Sequence, residues 1–236
     1  MRQVLSLFGF LLFGFSSAAA DTTQATYDLY YKGAQTGTVA VTVTRKAVHT
    51  YYKAVAKPNL LARLFGQGTI IERGTMTSQN LRPQEYFYHD SGRGRHYKYV
   101  YDWPHDQVLV TTHEGESTEP LGDGTLDPAA MAVRLLRDLP DPSPNYSVLS
   151  KGLLKVYRFE TPLLEPLEVL GQKRLVWKVV RIRGNAEDSR IVTWHDPKRD
   201  QWMVRTVRME GGKEKIRLEL TGLNRSDAGD LHSVDQ

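Results

Sequence analysis

Apolar and polar positions alternate through most of this chain. Residues 38–44 set Val39, Val41 and Val43 against Thr38, Ala40, Thr42 and Thr44, the period-two signature of a strand with one buried face. Residues 27–32 are aromatic-rich and strand-like, and the glycine-containing turn at 33–37 folds the two segments into a hairpin. Further strand signals follow at 49–57, 69–77, 85–89, 95–103, 107–112 and 153–161, and then at 173–183, 189–195, 201–210 and 213–220. Residues 163–170 read as an edge or irregular strand, because Pro162 precedes them and Pro166 lies inside. Residues 113–124 read as a polar, turn-rich link.

One segment breaks this pattern. Over residues 126–140, Ala132, Leu135, Leu136 and Leu139 recur at helical spacing with Met131 beside them, while Arg134, Arg137 and Asp138 are free to face water. Asp127 suits the N-cap, because its carboxylate can accept from the free amides of the first turn. Pro128 fits the first helical position, and Pro140 ends the helix. About three turns of helix are marginal alone in water. A sheet must therefore cover it. The pattern predicts a mainly β chain: an antiparallel curved sheet or open β-barrel of about 11–12 strands, with one main α-helix packed against it.

The first twenty residues stand apart. Arg2 begins them, an apolar run over residues 4–15 follows, and Ala18-Ala19-Ala20 closes them before Asp21. This is the layout of a cleavable secretory signal over residues 1–20, cut near Ala20. The run falls short of the roughly 20 apolar residues that a membrane span needs. The expected mature protein is periplasmic, with a single β-rich domain over 21–223 and a disordered polar tail over 224–236. Removing Arg2 lowers the formal charge from +4 to +3. The 236 residues include no cysteine, which excludes disulfides, thiolate metal sites and a lipidated cysteine.

Chemistry-bearing motifs are sparse. No phosphate loop, zinc-protease helix or nucleophile elbow occurs, and no cofactor is called for. Gly66-Gln67-Gly68, Gly92-Arg93-Gly94 and Gly122-Asp123-Gly124 read as turns. Four of the seven histidines fall between His89 and His113 with no helical ligand spacing, so only cross-strand proximity could unite them on a metal. Tyr97, Tyr99, Tyr101 and Trp103 share one face of a strand flanked by basic residues. Such a face can stack bases, but an aromatic core face is the expected reading, and no nucleic-acid partner is expected. No pair of carboxylates is marked out for acid–base work.

The order of these signals resembles the domain-of-unknown-function 3108 family of exported bacterial proteins. The resemblance is carried first by residues 27–31 with Gly33 and Gly37, the strand at 68–74, and Leu81-Arg82-Pro83 with Tyr86. Tyr101-Asp102-Trp103, Leu126-Asp127-Pro128 opening the helix, Trp194 with Asp196, and Leu218-Glu219-Leu220 complete it. The chain departs from the family pattern at Trp202-Met203-Val204 and at Ala129-Ala130-Met131. The resemblance implies an open β-barrel like that of periplasmic lipoprotein carriers, with a helix on the concave face. It implies no catalytic residue.

The expected function is therefore a non-enzymatic binder of a lipid or other apolar ligand in the cell envelope, held between sheet and helix. Leu60, Leu61, Leu64 and Phe65 crowd one short loop, expected as a ligand mouth or membrane-touching lip or else as a plug for the barrel end. Met131 and Leu135 are the candidate ligand contacts on the helix. The expected partners are a lipid or lipoprotein, with peripheral contact to a membrane. The alternative is a protein-interaction module of the envelope without a small ligand. An envelope hydrolase would instead require titratable groups gathered in a cleft.

Overall fold

The structure is a computed structural model that describes residues 20–143, 145–182 and 189–226. Strands β1 (Asp21–Tyr31), β2 (Ala34–Arg45) and β3 (His49–Pro58) lead to a one-turn helix α1 (Leu60–Leu64). Then come β4 (Ile70–Thr77), β5 (Pro83–Asp90), β6 (Arg95–Asp102), β7 (Gln107–Thr112), β8 (Gly115–Pro120) and the main helix α2 (Pro128–Asp138). The chain finishes with β9 (Asn145–Ser150), β10 (Leu153–Phe159), β11 (Leu163–Val169), β12 (Gln172–Ile182), β13 (Arg190–Asp196), β14 (Trp202–Glu210) and β15 (Lys213–Ser226).

All fifteen strands join one antiparallel sheet in the order β8-β7-β6-β5-β4-β3-β2-β1-β15-β14-β13-β12-β10-β9, with β11 also paired to β12. Sequential hairpins account for nearly every neighbour, as expected where tight turns separate short strands. The turn at Leu170-Gly171 places both central residues at positive φ (50° and 73°), the backbone that matches the twist of a two-residue hairpin. Two pairings are not sequential: β10 with β12, which skips β11, and β1 with β15, where Tyr27 sits opposite Leu220 and the first and last strands meet.

The sheet rolls without closing. β8 and β9 end the order, and no strand pairing joins them. The β9–β10 turn instead lands on the inner face of β6, where the Gly152 amide donates to the Tyr99 hydroxyl at 2.9 Å. Leu126, just before α2, bridges to Val148 of β9, so the lead into the helix is stitched to that end of the sheet. The core lies inside this roll. It combines Tyr27, Val39, Val41, Val43, Met76, Tyr86, Tyr97, Tyr99, Tyr101, Val108, Val110, Val148 and Trp202 with Ala129, Ala130 and Val133 of α2.

Several expectations change. There are fifteen strands rather than 11–12, and two of them, β8 and β9, gave no strand signal in the sequence. β8 is exposed on both faces apart from one half-buried residue, so it has no apolar alternation to show. Strand β6 ends at Asp102, and Trp103 begins a 3-10 turn in which its ring stacks on Tyr101 at 5.8 Å. The last strand runs on to Ser226, where Ser226 pairs with Thr22, three residues into the expected tail. The signal at residues 1–20 lies outside the described residues except for Ala20, as does the tail from residue 227.

Helix α2 begins as expected. Asp127 accepts from the Ala130 amide at 2.7 Å, and Pro128 occupies the first turn. Its buried residues are Ala129, Ala130, Val133 and Leu135, with Leu139 just beyond, while Ala132, Leu136 and Met131 are only half-buried. The buried surface is thus turned from the expected stripe. α2 is gripped by β3 and β4 on one side and β9 on another. The contact with β4 selects for small size: a Cβ added at Gly74 would lie 2.5 Å from the Ala129 Cβ.

Candidate apolar surfaces and a buried carboxylate pair

The residues 59–65 fold locally. Asn59 caps the short helix by accepting from the Ala62 amide at 2.9 Å, and its own side chain donates to Gln35 O in the β1–β2 hairpin at 2.9 Å. Ala62 turns inward and is buried, and this single inward turn throws the others out. Leu60, Leu61, Leu64 and Phe65 are 75, 62, 75 and 77% exposed. These four side chains face solvent on and just after a one-turn helix at the rim of the sheet.

A second bare apolar region lies along β10–β12. Leu135 of α2 and Leu139 just after it pack on Val179, against Phe159 and Trp177. Register carries this cluster outward. Leu164 pairs with Trp177 and Pro166 with Leu175 on the same face, and Leu164 and Leu175 are 50 and 61% exposed. The opposite face of these strands bares Leu154, Val156 and Leu163, and a groove of about 450 Å³ beside them is lined by Val180, Val192, Trp194 and Met209 with Lys178 and Arg190. Arg158 pairs with Ile182 and Leu163 with Lys178, so β10 and β11 run on as one broken strand along β12. Counting from the two-residue turn, the amide position of Pro166 faces the outer side of β11, which blunts that edge against strand addition.

These two regions account for twelve of the seventeen large hydrophobic residues exposed among the described residues, four at the lip and eight between Leu153 and Ile182. Exposed leucines scattered singly need no explanation, but concentration of this kind marks an interaction surface. The six residues named from sequence do not form one mouth. α1 packs on β2 and β3, whereas α2 packs on β3, β4 and β9. Met131 is half-buried against the main core, and Leu135 is buried at the inner end of the β10–β12 face.

Sequence reasoning missed a polar cluster beneath the start of α2. Asp127 has no accessible surface, and its Oδ2 has no hydrogen-bond partner. Burial pushes its carboxyl up to about 8; the nearby Glu72 adds to the rise, and the Ala130 and Ala129 amides oppose it. Glu72 keeps some accessible surface, yet desolvation raises its carboxyl too, against the hydrogen bond it accepts from the Tyr86 hydroxyl at 2.9 Å. The hydroxyls of Tyr101 and Thr125 are buried nearby in the same core without partners. The signal for this cluster was the period-two placement of Glu72 with Gly74 and Met76 on the inner face of β4, which a single charge disguised. Tyr97, Tyr99 and Tyr101 line the core as an inner face. Among the described residues no three histidine or carboxylate side chains converge as a metal site.

A single antiparallel sheet, rolled around one helix but not closed, with apolar side chains bared at its rim and along one hairpin, defines an open half-barrel class of β protein. Residues 26–221 match the family described as a protein of unknown function (DUF3108), and the chain belongs to that family. No curated protein matches it. Among solved structures, the chain is similar to a crystal structure of an outer membrane lipoprotein-sorting protein domain from Vibrio parahaemolyticus, at 12% identity and a TM-score of 0.21, covering 91% of this chain and 87% of that one.

Proposed function

We propose that this protein is a non-enzymatic, periplasmic binder of a lipid or other apolar ligand of the cell envelope. The observation that carries this reading is the bare face of β10–β12 beside α2, where the buried Leu135, Leu139 and Val179, with the half-buried Phe159 and Trp177 against them, open onto Leu164 and Leu175. An acyl chain laid along that face removes apolar area from water at about 25 cal/mol per Å². What supports a role without catalysis is that the most strongly perturbed carboxylate, Asp127, has no accessible surface. An exported location rests on the basic, apolar and small-residue order of residues 1–20. A cut after Ala20 leaves β1 whole from Asp21.

The test is native mass spectrometry of protein purified from a bacterial periplasm, together with displacement of a fluorescent fatty-acyl probe. A co-purified apolar ligand and probe binding lost in Leu164→Ser/Leu175→Ser are expected. A clean apo mass with no probe binding overturns the reading. That outcome would favour the second one, a protein-interaction module, which the bare opposite face at Leu154, Val156 and Leu163 supports.

A further inference from the structure

The lip carries a feature that the ligand-binding face lacks. α1 is clamped between two turns at one end of the sheet. On one side the Asn59 amide donates to Thr36 O at 2.8 Å, and the Asn59 side chain reaches Gln35. On the other side the Ser91 amide donates to Thr69 O at 3.0 Å. The backbones of Gly68 and Gly92 approach so closely that a Cβ at Gly68 would lie 2.0 Å from the Gly92 amide nitrogen. Three segments are thus fixed as one rim: residues 31–38, 57–70 and 91–95.

Charge on this rim has one sign. The three segments carry Lys32, Lys57, Arg63, Arg93 and Arg95 and contain no Asp or Glu. Their formal +5 exceeds the +4 of the whole chain, so the remainder sums to −1 (+4 less +5). All five cations are exposed, on the same rim as the four bare side chains of residues 60–65. Carboxylates border the rim without entering it: the buried Asp90 lies 4.0 Å from Arg93, Asp28 sits opposite Thr38, and Glu214 precedes Lys215, whose carbonyl accepts from the Lys32 amide.

We infer that this rim docks on the surface of an anionic phospholipid bilayer, with Leu60, Leu61, Leu64 and Phe65 entering the interface and the five cations meeting headgroup phosphates. Apolar side chains supply insertion and basic residues supply attraction, the two signals that stable interfacial binding requires. A protein groove would satisfy the apolar tip, but five cations with no internal acid fit a polyanionic plane. The inference goes beyond the ligand reading, whose surface is β10–β12, and the two stand or fall separately.

The chain contains no cysteine, so Phe65→Cys provides a single site for an environment-sensitive fluorophore. The mature chain so labelled is mixed with vesicles of phosphatidylcholine alone or with equal parts of phosphatidylglycerol. A blue shift on the anionic vesicles only, reversed by about 0.5 M salt through screening, is expected. The same label at Val100→Cys, on the outer face of β6, is expected to show none. Each cation near an anionic surface is worth about fivefold in affinity. Lys57→Glu/Arg63→Glu is therefore expected to weaken co-sedimentation more than tenfold, and Leu61→Ser/Phe65→Ser to abolish it, with both variants melting as the parent does. Equal binding to both vesicle types, no binding to either, or binding that survives Leu61→Ser/Phe65→Ser overturns the inference. Probe binding without vesicle binding removes the docking rim and leaves the ligand reading standing.

Discussion

Replacing Asp127 with Asn separates the two roles of this residue. The cap survives, because Asn accepts from the Ala130 amide about as well as Asp does. The titration does not. The wild-type carboxyl titrates at about 8 in the folded protein against 3.8 as its ordinary value. Between those values the unfolded chain ionises and the folded chain does not, so folding loses stability as pH rises through that window. The slope for one group is about 1.4 kcal/mol per pH unit. From pH 5 to pH 8 the upper limit is about 4 kcal/mol, and solvent relaxation around Glu72 brings the expected loss to about 2–3 kcal/mol. That is a large share of a total stability of about 5–15 kcal/mol. Asn brings a fixed penalty, an amide placed where Oδ2 has no partner, of about 1–3 kcal/mol at every pH. His195 titrates in the opposite sense: burial pushes its imidazole down to about 4, so it removes stability as pH falls below its ordinary 6.5. It does so equally in both proteins and cancels in the difference. Urea unfolding at a series of pH values is the assay. The variant is expected to gain on the wild type by about 2–3 kcal/mol between pH 5 and pH 8, from whatever offset it starts. Parallel profiles would refute the reasoning, because Asp127 would then be ionised in the folded state or hydrated.

Three further outcomes test the packing. Leu135→Asp is expected to prevent accumulation of folded protein, since a buried unpaired carboxylate costs several kcal/mol inside the Leu139–Val179–Trp177 cluster; a soluble variant with an unchanged Tm would show that this face is open. Gly74→Val is expected to destabilise by about 1–3 kcal/mol, because its side chain must displace Ala129 and with it α2; denaturant unfolding measures it. Leu61→Ser/Phe65→Ser is expected to leave the unfolding midpoint within about 0.5 kcal/mol per site, as both side chains already face water; a collapsed Tm would mean that the lip is part of the core.

Much of this architecture was legible in residue order alone. Period-two alternation located β2, strand-like runs between turn signals located β3 to β7, and the Asp127-Pro128 pair located the start of α2, because those signals are local: a strand with one dry face alternates, and a helix start must be capped. Local signals also marked the crowding of Leu60, Leu61, Leu64 and Phe65, but not their fate. Only the tertiary structure decided that Ala62 turns inward and the other four outward. β8 left no mark in the sequence, since a strand wet on both faces is held by its pairing with β7 and not by its own side chains. The buried face of α2 was set by where β4 presents Gly74, a matter of approach distance that helical periodicity does not encode. The pairing of Glu72 and Asp127, 55 positions apart in sequence, arises only when the sheet rolls over the helix. The same holds for the cationic rim, whose three segments are distant in sequence and become one surface through backbone contacts between turns.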